Sequence, residues 1–298
     1  MPDRPGGPRP APRRVVDAHV HLWDRANPWY PGLAAMAADL GDPDMFPTFL
    51  LEDYRRDGAT AGVDGFVHVS AVTAPQAHHD ELRWVADLAD RAGVDMRFVG
   101  TVDPQGSSSE IIADLDAQLA ITGRLSGIRV LYDFPPESAA AQTVLRWLEE
   151  HGLVFDLVTH PGDMDAWIRT ISAFDGLTTV LEHTGWPDGT DPAAHACWRT
   201  AVTTCARETA ARCKLSGLGM VTGELSAEAL RPWLEPALEA FGWDRVIFGS
   251  NIPIEHMAGT HTDLQHALDT VLGAGAPGDL QRFYADNAIT TYGFEEER

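Results

Sequence analysis

Asp17-Ala18-His19-Val20-His21 places two imidazoles two residues apart in an apolar, β-branched run. On a strand, residues at i, i+2 and i+4 point to one side, so Asp17, His19 and His21 are expected to face together. Two imidazoles so placed can reach one metal ion, and imidazole suits zinc, iron or manganese. They could equally act as donors or acids with no metal. His160 and His183 end later apolar runs, whereas Arg129, Lys214 and His68 lie inside them. A cation buried in such a run needs an anion, either a substrate carboxylate or an internal partner. That makes Arg129 and Lys214 candidate substrate-binding groups, with an internal ion pair as the alternative for each. By strand parity His68 shares a polar face with Ser70, directed to the barrel mouth unless His68 is a satisfied core histidine.

The elements that must position these groups are eight short apolar runs, at 15–22, 65–72, 96–102, 127–132, 154–159, 178–183, 212–216 and 245–249. Their near-continuous apolar character is what parallel strands buried on both faces require. Segments of helical period separate them. Ser107 and Glu110 form a capping box ahead of Ile111, Ile112, Leu115 and Leu119, with Gly123 as the stop. Strand–helix alternation repeated eight times, with no Gly-rich phosphate loop after the first strand, predicts a closed (β/α)8 TIM barrel. Catalytic groups should then gather where strands end and loops begin. One long connection, 23–63, carries Trp23, Trp29 and Tyr30 as a candidate aromatic wall over the mouth.

The 298 residues suit one barrel domain over 15–298, preceded by a Pro-, Gly- and Arg-rich tail at 1–14 that reads as disordered rather than as a signal peptide. Twenty-two basic against 44 acidic residues give a net charge of −22, which argues against nucleic-acid and anionic membrane partners. No apolar stretch is long enough to span a bilayer. The odd count of three cysteines, without a CxxC, argues against a disulfide framework or a structural zinc cluster. The expected setting is cytoplasmic and the expected partner a small-molecule substrate, with a homo-oligomer left open.

VVDAHVHLWD at 15–24, Glu182-His183-Thr184-Gly185 followed by Pro187, CKLSGL at 213–218, RVIFGSNIP at 245–253 and FYADNAITTYG at 283–293 resemble successive landmarks of the amidohydrolase-related family. They are most similar to its lactonase branch, which includes sugar-acid lactonases and 2-pyrone-4,6-dicarboxylate lactonase. The resemblance implies an amidohydrolase-like barrel that hydrolyses a C–O or C–N bond, with one divalent metal (zinc or manganese) in some members and none in others. It matches His19 and His21 to the first-strand pair, and His183 to a sixth-strand histidine that binds metal or polarises the substrate carbonyl. His160 matches a fifth-strand position that is a metal ligand in some relatives and is otherwise a surface or supporting residue. Arg129 and Lys214 fall in segments like the family's fourth and seventh strands.

The eighth strand departs from the pattern. The family's Gly-Ser-Asp supplies a general base, but this chain has Gly249-Ser250-Asn251. An amide cannot accept a proton at any useful pH, so Asn251 is left to orient substrate or water. Glu255 and His256 just downstream are candidate substitute bases, with Asp103 and Asp133 behind them. The alternative is a reaction that needs no water activation. The reading is therefore a lactonase opening a small carboxylate-bearing lactone or cyclic ester. A decarboxylase or other lyase and a non-catalytic binding protein are its rivals.

Overall fold

The computed structural model describes residues 14–58, 62–71 and 73–295. Nearly all of the expected tail lies outside the described residues. All eight expected strands form: β1 (Val15–Val20), β2 (Val63–Val69), β3 (Asp95–Gly100), β4 (Leu125–Arg129), β5 (Val154–Leu157), β6 (Thr178–Leu181), β7 (Arg212–Leu215) and β8 (Val246–Phe248). They pair in sequence order, every pair parallel. The sheet closes just past the end of β8. There the Asn251 amide donates to the His19 carbonyl at 2.8 Å and the His21 amide to the Ile252 carbonyl at 3.0 Å. The result is the (β/α)8 barrel.

Parity explains how one chain builds two packed layers. Val67, Val69, Val99, Val154, Val180 and Ile247 fill the barrel interior, while Phe66, Phe98, Phe155 and Phe248 pack outward under the helices. The far end of the barrel is stopped by the C-terminal segment, where Ala288, Tyr292 and Phe294 join the interior cluster. Each strand ends one to three residues earlier than its apolar run, so the reactive side chains sit on or just beyond the strand tips.

The capping box forms as expected, with the Ser107 hydroxyl accepting from the Glu110 amide at the start of the Ser108–Ile121 helix. The long 23–63 connection contains two helices that its composition concealed, Pro31–Asp39 and Leu51–Asp57. All three cysteines are free. Among the described residues no helix is long and apolar enough to cross a membrane.

Candidate active site

The register of β1 slips between Asp17 and Val20. This bulge corrects the expectation that Asp17, His19 and His21 share one face. Val16 and Ala18 point into the barrel, whereas Asp17 points outward and accepts from the Tyr54 hydroxyl at 2.6 Å. Asp17 also accepts from the His19 amide at 3.1 Å and the Ser250 amide at 2.8 Å. The carboxylate thus clamps the bulge to the segment after β8, and the bulge turns His19 and His21 inward.

His21 donates through Nδ1 to the Val69 carbonyl at 2.7 Å, which leaves the lone pair on Nε2. His19 Nε2 lies 3.2 Å from that atom, and His19 Nδ1 lies 3.3 Å from Glu182 Oε1. Next to a carboxylate, Nδ1 is best protonated, which puts the His19 lone pair on Nε2 as well. Two lone pairs then face one another. Burial lowers both histidines well below the usual imidazole range, so neither readily gains the proton that would relieve this. A cation between them would. Tetrahedral zinc–nitrogen distances of about 2.0–2.1 Å place two ligand nitrogens roughly 3.3 Å apart. The ligating atoms of His19, Glu182 and His183 also lie within 4.8 Å of one another. His19 and His21 fit a divalent cation between their Nε2 atoms, with Val69 and Glu182 as the partners that orient the imidazoles.

Glu182 is the hub of the charges below the histidines. It meets Arg129 Nη1 at 3.3 Å, Lys214 Nζ at 3.5 Å and His183 Nε2 at 3.8 Å. Burial alone would raise its carboxyl, but the Arg129 and Lys214 cations beside it hold it well below the usual carboxylate range. Lys214 also pairs with Asp156, which accepts from the Tyr292 hydroxyl at 2.7 Å. Two cations and two carboxylates therefore balance within the interior.

His183 follows β6 in the left-handed region, at φ 50°, with Thr184 at 56°. Such backbone is costly for residues other than glycine and marks a turn held by its surroundings. The turn presents His183, whose Nδ1 lies 3.1 Å from the Ser216 hydroxyl. Gly217 makes room for the ring, since a Cβ there would stand 2.4 Å from Nδ1. Burial lowers His183 to about 4, so it too is neutral at pH 7.

A family profile described as amidohydrolase matches residues 16–294. The chain belongs to the amidohydrolase family. It is 28% identical over 295 residues to an L-fucono-1,5-lactonase of Burkholderia ambifaria, covering 93% of this chain and 94% of that one. Its fold is that of a zinc-bound amidohydrolase from Burkholderia multivorans (TM-score 0.79, 22% identity, 94% and 99% covered). It is also that of a putative 2-pyrone-4,6-dicarboxylic acid hydrolase from Pseudomonas putida (TM-score 0.68, 20% identity, 95% and 99% covered).

Within this amidohydrolase, His21, Arg129, His183 and Asn251 line one cavity of about 90 Å³ at the strand ends. Trp23 lines it too, whereas Trp29 packs on Tyr30 and Trp84, away from the cavity. Asn251, at φ 56°, donates through Nδ2 to Glu255 Oε1 at 3.2 Å. That bond fixes the amide so that its carbonyl oxygen is the free acceptor. Glu255 also accepts from the Gly219 amide at 2.9 Å, and a Cβ on Gly219 would stand 2.2 Å from the carboxylate. Burial pushes Glu255 up to about 7, yet it stands behind Asn251 and does not line the cavity.

For the remaining candidates the structure corrects the site reading in favour of the alternative. Lys214 is fully buried between Asp156 and Glu182, so it holds internal carboxylates and no substrate anion. His68 lies on the outward face with Phe66 while Val67 and Val69 point inward; its Nε2 is 3.4 Å from the Leu22 carbonyl, as a core histidine. His160 is half exposed and 2.7 Å from Asp188, apart from the buried cluster. His256 is exposed, lies 3.2 Å from Asp57 and does not line the cavity. Asp103 accepts from the Gln105 amide at 3.0 Å and lines a neighbouring cavity, not the one that holds His21 and His183, and Asp133 is exposed.

The sequence reading passed over Glu182 and Asp156. Parity could have found both, because each sits two residues after an inward valine, Val180 and Val154, and a carboxylate inside a barrel demands a partner. Nothing in the pattern announced Trp186 or Met220, whose place on the cavity depends on loop conformation.

Proposed function

We infer that this amidohydrolase is a lactonase that opens a small cyclic ester. Water adds to the ring carbonyl carbon, the acyl C–O bond breaks, and the ring oxygen leaves as the alcohol of a hydroxy acid. The observation that carries the reading is the convergence of His21, Arg129, His183 and Asn251 on one cavity above the buried Glu182. The relatives' lactonase name agrees with it.

His19 and His21 would hold zinc or manganese, with Glu182 orienting His19, and the ion would polarise the carbonyl and acidify water. The chain's own groups do the rest. Arg129 spends one amino group on Glu182 and the other on the Ser70 carbonyl, and keeps further N–H groups for a carbonyl or carboxylate oxygen. Neutral His183, with Nδ1 held by Ser216, directs Nε2 toward the charge that develops on the carbonyl oxygen. Asn251 accepts a hydrogen bond from the attacking water, and Glu255 keeps the amide in that orientation. The free cysteines agree with a cytoplasmic setting.

A second reading, decarboxylation or another lyase reaction, is favoured by Asn251, which cannot act as a base. Turnover in ¹⁸O-labelled water separates the two. A lactonase places one labelled atom in the product carboxylate, and His183→Ala slows it by about 100-fold or more. Turnover without label in the product refutes the lactonase.

A further inference from the structure

The cavity carries few polar side chains among its lining residues. Its polar groups are already partly committed: His21 Nδ1 to Val69, His183 Nδ1 to Ser216, Asn251 Nδ2 to Glu255, and Arg129 to Glu182 and Ser70. With His21 Nε2 taken by the cation, what remains free is His183 Nε2, the Asn251 carbonyl oxygen and part of the Arg129 fork. These suffice for one ester group and one water. The rest of the lining is Trp23, Trp186, Leu33, Met36, Leu131, Met220 and Ile254, with Trp23 beside His21 and Trp186 beside His183. Among these only the indole nitrogens are polar, and Trp23 Nε1 already donates to the Pro47 carbonyl at 2.6 Å. Tyr132 stands at the rim, 60% exposed.

A sugar-acid lactone sets several ring hydroxyls against this largely apolar lining. Each hydroxyl buried without a partner weakens binding by roughly tenfold or more. An alkyl or aryl substituent gains there instead. At about 90 Å³ the cavity suits a small ring.

We propose that the substrate is a small lactone whose ring carries alkyl or aryl groups in place of hydroxyls. This rests on the lactonase reading and separates the chain from relatives named for L-fucono-1,5-lactone, which has about three ring hydroxyls. The half-buried Leu131 in this lining is a specificity-determining residue.

The test compares hydrolysis of δ-hexalactone and 3,4-dihydrocoumarin with that of L-fucono-1,5-lactone by the intact, metal-replete protein. The same protein is titrated with two non-hydrolysable δ-lactams, one methylated and one trihydroxylated, by tryptophan fluorescence. A kcat/KM at least about 100-fold higher for an apolar lactone, lowered about tenfold relative to the sugar lactone by Leu131→Asn, supports the proposal. Equal or better turnover of L-fucono-1,5-lactone overturns it and leaves the lactonase reading standing. Should no lactone be opened, the lactonase reading fails and the lactams decide. Tighter binding of the methylated ring then upholds the apolar class, whereas tighter binding of the hydroxylated ring, or of neither, overturns it.

Discussion

Replacing Lys214 with Met tests whether the charges inside the barrel act as one balanced unit. The ammonium is fully buried, pairs with Asp156 and lies 3.5 Å from Glu182. Methionine keeps most of the volume but leaves Asp156 with only the Tyr292 hydroxyl, and Glu182 with Arg129 and the histidines. Breaking one member of a buried ion pair costs about 3–5 kcal/mol. At roughly 2 °C per kcal/mol for a chain of this size, the melting temperature should fall by about 6–10 °C. Melting followed by the fluorescence of the nine tryptophans measures this directly. Adding Asp156→Asn removes the orphaned charge, so the double variant should recover about 2 kcal/mol relative to additivity. The deficit of the single variant should also narrow near pH 5, because burial pushes the Asp156 carboxyl up and lets it take a proton. A Lys214→Met protein that melts within about 2 °C of the parent would refute the account of the interior as charge-balanced.

Glu255→Gln should change how stability depends on pH. Burial raises Glu255 to about 7 from the ordinary 4.5, so the folded state binds its proton more tightly than the unfolded state does. Its contribution is therefore fully present below pH about 4.5 and is lost as pH rises through about 7. From pH 5 to pH 8 the stability difference should move by about 3 kcal/mol in favour of the glutamine variant. Parallel stability curves from denaturant titrations would show Glu255 to be ionised without strain. For the metal, elemental analysis should find about one equivalent of zinc or manganese in protein grown with either ion. His21→Ala should lose it, whereas His160→Ala, half exposed and paired with Asp188, should keep it.

Much of the fold was legible because one physical rule repeats. A parallel strand covered on both sides must be apolar throughout, and eight such runs separated by helical periods leave few other arrangements. The histidines were legible for a related reason: a polar ring that ends an apolar run has been placed there at a cost. Parity served the reading less well. It assumes an unbroken pleat, and the slip in β1 sends Asp17 to the outside of the barrel while His19 and His21 turn in. At His68 the polar neighbour Ser70 suggested an inward face, but Val67 and Val69 hold that face. Lys214 showed as a cation in want of an anion, yet only the fold reveals that the anions are Asp156 and Glu182. Glu255 was found as a carboxylate near Asn251, but its place behind the amide depends on the turn that follows Asn251.

The seat of Tyr292 on Asp156 and the closure of β1 onto residues 251 and 252 bear on how the chain is made. Within the barrel β1 is made first, and its second neighbour, at 251 and 252, only after the other strands. Until then β1 offers an open edge, and the interior lacks both its stopper and one donor to a buried carboxylate. Such edges are prone to wrong pairing in nascent chains. A protein lacking only its last few turns would therefore fail as a whole, since those turns finish the barrel at the end opposite the chemistry.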